Sequence, residues 1–156
     1  YAQRADTGKH KTSPRLGVLL AREKDAGVAT EIFYEGFQTR AEKVKDDLVA
    51  FLIDAKRQGL RTGAYGAAAK GNTLMNFAGL RPDLIPYVVD RATAKQGKFM
   101  PGSRIPIVAE EHLRADRPDL IVILPWNIRG EVMDQLAYVR DWGGRFVTAV
   151  PELSVT

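Results

Sequence analysis

Between Leu60 and Asn76 a short strand-like run breaks into small residues and restarts as a helix, and this switch of period constrains the fold more than any other stretch. Its landmarks are Gly63, Gly66, Lys70, Gly71, Asn72 and Thr73. A strand, a tight turn and a helix N-terminus in that order open a parallel α/β unit. The first N–H groups of a helix have no intrahelical partner. Together with the positive end of the helix dipole they favour a phosphate or another anion. The segment is a candidate ligand cradle.

Two familiar templates both miss it. Gly66 and Gly71 have the spacing of a P-loop, but Asn72 stands where the lysine belongs and Lys70 precedes the second glycine. ATP hydrolysis is not expected. Against the dinucleotide fingerprint, Gly63, Gly66 and Gly71 give G-x-x-G-x-x-x-x-G, although Asp90 closes the next predicted strand near the position of a ribose-binding acid. NAD binding stays open. So does a plain packing reading, in which the small residues let a helix approach a sheet and Asp90 caps a loop.

Elsewhere the pattern alternates as a parallel sheet requires. Ser13-Pro14 starts a helix to Ala26 with Leu16, Leu19 and Leu20 on one face, and Gly27 ends it. A longer helix is expected from Thr30 to Gln58, carrying Ile32, Phe33, Phe37, Val44, Leu48, Phe51, Leu52 and Ala55, weakened or bent at Gly36 and stopped at Gly59. These helices read as a connector over residues 1–58, ahead of a Rossmann-like α/β domain over residues 59–156. In that domain strands are expected at 60–65, 85–89, 105–108, 120–124 and 145–150, and helices at 71–78, 109–115 and 128–142. The abrupt start at Tyr1-Ala2 suggests a piece of a longer protein.

The 156 residues suffice for one domain with a real core. A formal charge of +4, with acids interspersed among the bases, suits an anionic small ligand; a basic stripe with interleaved aromatics, as nucleic acid requires, is missing. The chain has no cysteine, which rules out disulfides and thiolate zinc sites and agrees with a cytoplasmic protein. Neither a secretory leader nor an apolar run of membrane-spanning length is present. Neither His10 nor His112 has a metal-ligand partner at useful spacing.

Ligands of open parallel sheets bind beyond the carboxyl ends of the strands. Residues 66–73, 90–98 and 125–127 all fall there, and one shared site is the expectation.

Taken in order, Gly63-Ala-Tyr-Gly-Ala-Ala-Ala-Lys-Gly-Asn-Thr73, Tyr87-Val-Val-Asp-Arg91 with Lys95-Gln-Gly-Lys98, Pro101-Gly-Ser-Arg-Ile-Pro106 and Ile123-Leu-Pro-Trp-Asn127 resemble the C-terminal domain of SAM-dependent sugar C-methyltransferases. The helical segment from Ser13 to Gly59 is similar to that family's bridge into the domain. The resemblance implies a longer enzyme, with an N-terminal zinc-binding domain and a central methyltransferase domain, that methylates a carbon of a nucleotide-linked keto-deoxysugar. Such chemistry removes a proton beside a ketone, stabilises the enolate and attacks the methyl of SAM in line. The resemblance puts base, SAM and zinc in domains outside this chain, which is not expected to methylate anything by itself. Tyr1-Ala2 would be the remnant of a central-domain strand.

The substrate-binding role implied here falls on Gly66, Ala67, Lys70, Gly71, Asn72, Thr73, Asp90, Lys98, Trp126 and Asn127. Backbone N–H groups from Ala67 to Gly71, with Lys70 and Lys98, would hold a diphosphate, and Asn72 or Thr73 would add polar contacts. Asp90 would accept from a ribose hydroxyl, Trp126 would stack on a base or sugar, and Asn127 would hydrogen-bond beside it. Each has an ordinary alternative: solvated lysines, a capping Asn72 and Thr73, a loop-capping Asp90, a core-closing Trp126. At the level of the chain the alternatives are an NAD(P)-dependent oxidoreductase and a structural module without a ligand.

Overall fold

The computed structural model describes residues 3, 4, 6–8 and 10–156. The strand remnant expected at Tyr1-Ala2 lies outside them. The chain divides into two compact units, residues 1–40 and residues 41–156.

In the first unit the Ser13 hydroxyl accepts the Arg15 N–H at 3.3 Å and opens α1 (Pro14–Asp25), with Pro14 where a helix needs no donor. The continuous helix expected from Thr30 to Gln58 does not form. A 3-10 turn over Glu31–Tyr34 ends at an extended Glu35, Gly36 turns left-handed at φ +70°, and α2 (Phe37–Arg57) starts only after it. Gly36 is the physical reason, because a helix interior needs negative φ and glycine lets the chain leave that region at little cost.

In the second unit α2 ends where the sequence indicates. Gly59 sits at φ +73°, its N–H bonds the Lys56 carbonyl, and the Leu60 N–H reaches back to Ala55, a left-handed C-terminal cap. β1 (Thr62–Tyr65), α3 (Ala69–Phe77), β2 (Val88–Val89), β3 (Ile107–Val108), α4 (Glu110–Asp116), β4 (Leu120–Ile123), α5 (Arg129–Gln135), β5 (Arg145–Thr148) and β6 (Ser154–Val155) follow. One six-stranded sheet results, in the order β3-β2-β1-β4-β5-β6. All neighbours are parallel except β5 and β6. This is the strand order of a doubly wound Rossmann-type sheet, with its switch point between β1 and β4.

Alternation along the strands divides the core in two. Ala64, Val88, Leu120 and Val122 face one side, where Leu48, Leu52 and Ala55 of α2 and Met75 of α3 are buried with them. Tyr65, Val89, Ile121, Ile123 and Phe146 face the other, packed with Leu113, Val132, Leu136 and Val139. Burial of β4 on both faces explains its unbroken apolar run.

Several expected elements are shorter. Proline at position 86 cannot donate to a ladder, so the strand expected over 85–89 pairs only at Val88–Val89. The helix expected over 128–142 breaks at Leu136 into α5 and a 3-10 segment, Ala137–Trp142. The last expected strand stops at Thr148, and the chain returns as β6, antiparallel to β5. Among the described residues no helix is long and apolar enough to cross a membrane.

At the amino edge of the sheet the Tyr87 hydroxyl donates to Asp116 Oδ2 at 2.7 Å, and Arg61 donates to the Arg117 carbonyl at 2.7 Å. Burial first, then the hydrogen bond to the Asp116 carboxylate, raise the Tyr87 pKa well above the ordinary phenol value of 10.0. Burial and Glu110, the acceptor of the Tyr138 hydroxyl at 2.8 Å, raise Tyr138 in the same direction. A folded-state pKa above the unfolded value contributes stability that is complete below pH ~10 and declines as the pH rises further. Urea denaturation should therefore give a level stability from pH 7 to 9 and a fall above 10. Tyr87→Phe should make that fall shallower.

Candidate functional site

The β1–α3 turn is fixed by contact with the neighbouring strand. Gly66 has φ +91°, and a Cβ there would lie 2.5 Å from Cδ of Pro125, the buried residue just past β4. Both the backbone conformation and the close approach require glycine. Gly71 is buried for a related reason: a Cβ would lie 2.6 Å from Leu124 Cβ, so the first turn of α3 rests directly on the end of β4. Gly71 thus serves packing.

Asp90 organises the turn. Its Oδ2 accepts the Ala67 N–H at 2.8 Å and the Lys95 ammonium at 3.0 Å, and its Oδ1 accepts the Ala92 N–H at 2.8 Å. Lys95 also donates to the Ala67 carbonyl at 2.9 Å. Both polar ends of Ala67 are held from the β2 side, and the Asp90 side chain is only 13% exposed. The Ala67 N–H, expected to face a ligand, is engaged by Asp90 instead. At the start of α3, Ala68 supplies no capping side chain, which leaves the N–H groups of the first helical turn without a side-chain cap.

The expected site residues separate into three groups. Ala67, Asn72, Thr73 and Lys98 line one cleft together with Lys95 and Pro101. Its charged lining is cationic, and Oδ1 of Asn72 is a buried acceptor without a hydrogen-bond partner among the described residues. Thr73 returns its hydroxyl to the Ala69 carbonyl at 3.2 Å. Gly66 and Asp90 line a second cleft at the switch point, with Tyr65, Arg91, Pro125 and Gln135. Lys70, Trp126 and Asn127 form a third group: the Lys70 ammonium donates to Asn127 Oδ1 and stands 5.1 Å from the Trp126 ring centroid. None of these three residues lines either cleft.

The expected site residues did not include Tyr65, Glu131 and Gln135 of the switch-point cleft, and Arg91 and Lys95, within the expected 90–98 segment, were given no role of their own. Signals for some were present. Tyr65 is the last strand residue before the glycine turn, and Glu131 and Gln135 stand four apart on the helix that follows Pro125.

A mostly parallel sheet of this strand order, with its glycine turn and clefts at the carboxyl edge, defines an α/β domain of the Rossmann type. Residues 1–151 match the C-methyltransferase C-terminal domain, and the chain belongs to that family. It is 34% identical over 143 residues to the C-methyltransferase NovU of Streptomyces niveus; the match covers 92% of this chain and 34% of NovU. The chain thus spans about a third of the length of that relative.

Gly66→Ala should destabilise the protein by about 2–4 kcal/mol in chemical denaturation, from left-handed backbone strain and overpacking against Pro125. Gly130→Ala is the matched control, since Gly130 lies within α5 with open space around its Cβ position. Its stability should be unchanged or higher by up to about 1 kcal/mol.

Proposed function

We propose that this chain is the sugar-nucleotide-binding domain of a SAM-dependent C-methyltransferase that acts in the cytoplasm on a nucleotide-linked keto-deoxysugar. Its family membership supports the enzyme class. The observation that carries the binding role is the cleft beside the start of α3, where Lys95 and Lys98 meet Asn72 and Thr73 with no carboxylate in the lining. The Lys98 ammonium, beside a Lys95 already shared with Asp90 and the Ala67 carbonyl and next to uncapped helix N–H groups, suits a phosphate of a diphosphate. Lys70, held by Asn127 and Trp126, stands apart from that cleft and is a weaker candidate for the phosphate contact.

The methyl donor and the zinc belong to other parts of the enzyme in this reading. SAM carries a sulfonium cation, which the lysines of the cationic cleft repel, and Asp90 already has both oxygens engaged by Ala67, Ala92 and Lys95. The same engagement of Asp90 weakens the oxidoreductase alternative, which relied on it as a ribose acceptor. Zinc finds no cysteine in the chain and no cluster of three or more His, Asp or Glu side chains among the described residues.

Calorimetric titration with dTDP, UDP and GDP sugars, with SAM and NADH as controls, tests the assignment. Binding of a sugar nucleotide is expected, SAM and NADH should give no heat, and Lys98→Ala should weaken binding about tenfold with a shallower salt dependence. Preferential binding of NADH would favour the oxidoreductase, and silence from every ligand would favour a structural module.

A further inference from the structure

The switch-point cleft differs chemically from the cationic one. Its lining includes the apolar Pro125, Ile128 and Val132 together with the carboxylates of Asp90 and Glu131. Carboxylates disfavour a diphosphate there. The only cation in the lining, Arg91, donates to Gln135 Oε1 at 3.2 Å. A guanidinium can only donate, so that contact fixes which end of the Gln135 amide faces Arg91 and turns Nε2 toward Tyr65. Nε2 donates to the Tyr65 oxygen. The Tyr65 hydroxyl therefore acts as an acceptor within the protein, and its own proton has no acceptor among the described residues.

Tyr65 is 6% exposed and is a lining residue of the cleft, as is Gln135, to which its hydroxyl is bonded. Burial is the largest influence on its pKa, which is raised, so the phenol keeps its proton at neutral pH. The site thus combines a neutral hydroxyl donor oriented by a Gln135–Arg91 relay, a carboxylate acceptor in Glu131 and apolar lining from Pro125, Ile128 and Val132. These are the complements of a sugar ring: an oxygen that accepts, hydroxyls that donate, and a C–H face that packs on apolar carbon. Ala68 lines both clefts, which makes the site beside Lys98 and the switch-point cleft neighbours.

We propose that the switch-point cleft receives the glycosyl group of the ligand, with the Tyr65 hydroxyl donating to one of its oxygens and Gln135 and Arg91 orienting that hydroxyl. This rests on the sugar-nucleotide reading and divides the ligand between the clefts, diphosphate in the cationic one and sugar in the other. Tyr65 and Gln135 become determinants of sugar recognition.

The test compares dTDP with dTDP-glucose, and UDP with UDP-glucose, by calorimetry on the 156-residue chain and on Tyr65→Phe, whose ring keeps its packing. Glucose should add affinity in the unaltered chain. Tyr65→Phe should lose about tenfold toward the sugar nucleotide and remain within about twofold for the nucleoside diphosphate. Gln135→Leu, at an exposed position, should show the same selective loss if Tyr65→Phe is poorly folded. Equal losses for both ligands, no loss, or no contribution from glucose in the unaltered chain would overturn the glycosyl assignment while leaving diphosphate binding intact. Failure of the unaltered chain to bind any of the four ligands would overturn the sugar-nucleotide reading itself.

Discussion

The close approach of Gly66 to Pro125 is the constraint on which the carboxyl edge of the sheet depends. It occurs where the chain leaves β1 with positive φ, against Pro125 two residues past the end of β4, and no side chain fits between them. Because the turn lies flat against β4, α3 can start at once, and Gly71 carries that packing onward to Leu124. From this contact follow the direction of α3 and the separation of the two clefts.

Charge divides the edge further. Asp90 is the residue at which a nucleotide-binding reading and a loop-capping reading compete, and its geometry is that of a brace: Ala67, Ala92 and Lys95 surround its carboxylate. Hydrogen bonds to a charged group contribute about 1.5–3 kcal/mol each, so this arrangement is a substantial share of what holds the turn. With Asp90 so occupied, the acidic and neutral groups gather at the switch point and the free cationic character lies beside Lys98. A ligand with a charged and an uncharged half matches that asymmetry better than one uniformly anionic.

Much of the fold was legible because its signals were local. Gly59 as a helix stop, Ser13-Pro14 as a helix start and the two-sided burial of 120–124 need only nearest-neighbour chemistry. Errors fell where long-range geometry decides. Gly36 was visible as a weak point, but its left-handed φ, which breaks the helix outright, depends on the surrounding chain. The return strand Ser154–Val155 is too short to show a period. At the site, sequence order suggested that residues 66–73, 90–98 and 125–127 converge on one place. They do meet at the carboxyl edge, yet the first turn of α3 is partitioned: Asn72 and Thr73 line a cleft, Gly71 is buried on Leu124, and Lys70 turns to Asn127 and Trp126. Helical rotation of about 100° per residue separates neighbours in this way, and spacing alone does not say which face meets a ligand.

The central claim, that the carboxyl edge at the β1–α3 turn holds a sugar nucleotide, is tested most directly by amide NMR of the isotopically labelled chain titrated with dTDP-glucose. The account predicts saturable shifts confined to the amides of residues 65–73 and 90–98, extending to 125–135. Shifts centred instead on Arg61, Tyr87 and Asp116 at the opposite edge, or no shifts at saturating ligand, would contradict it.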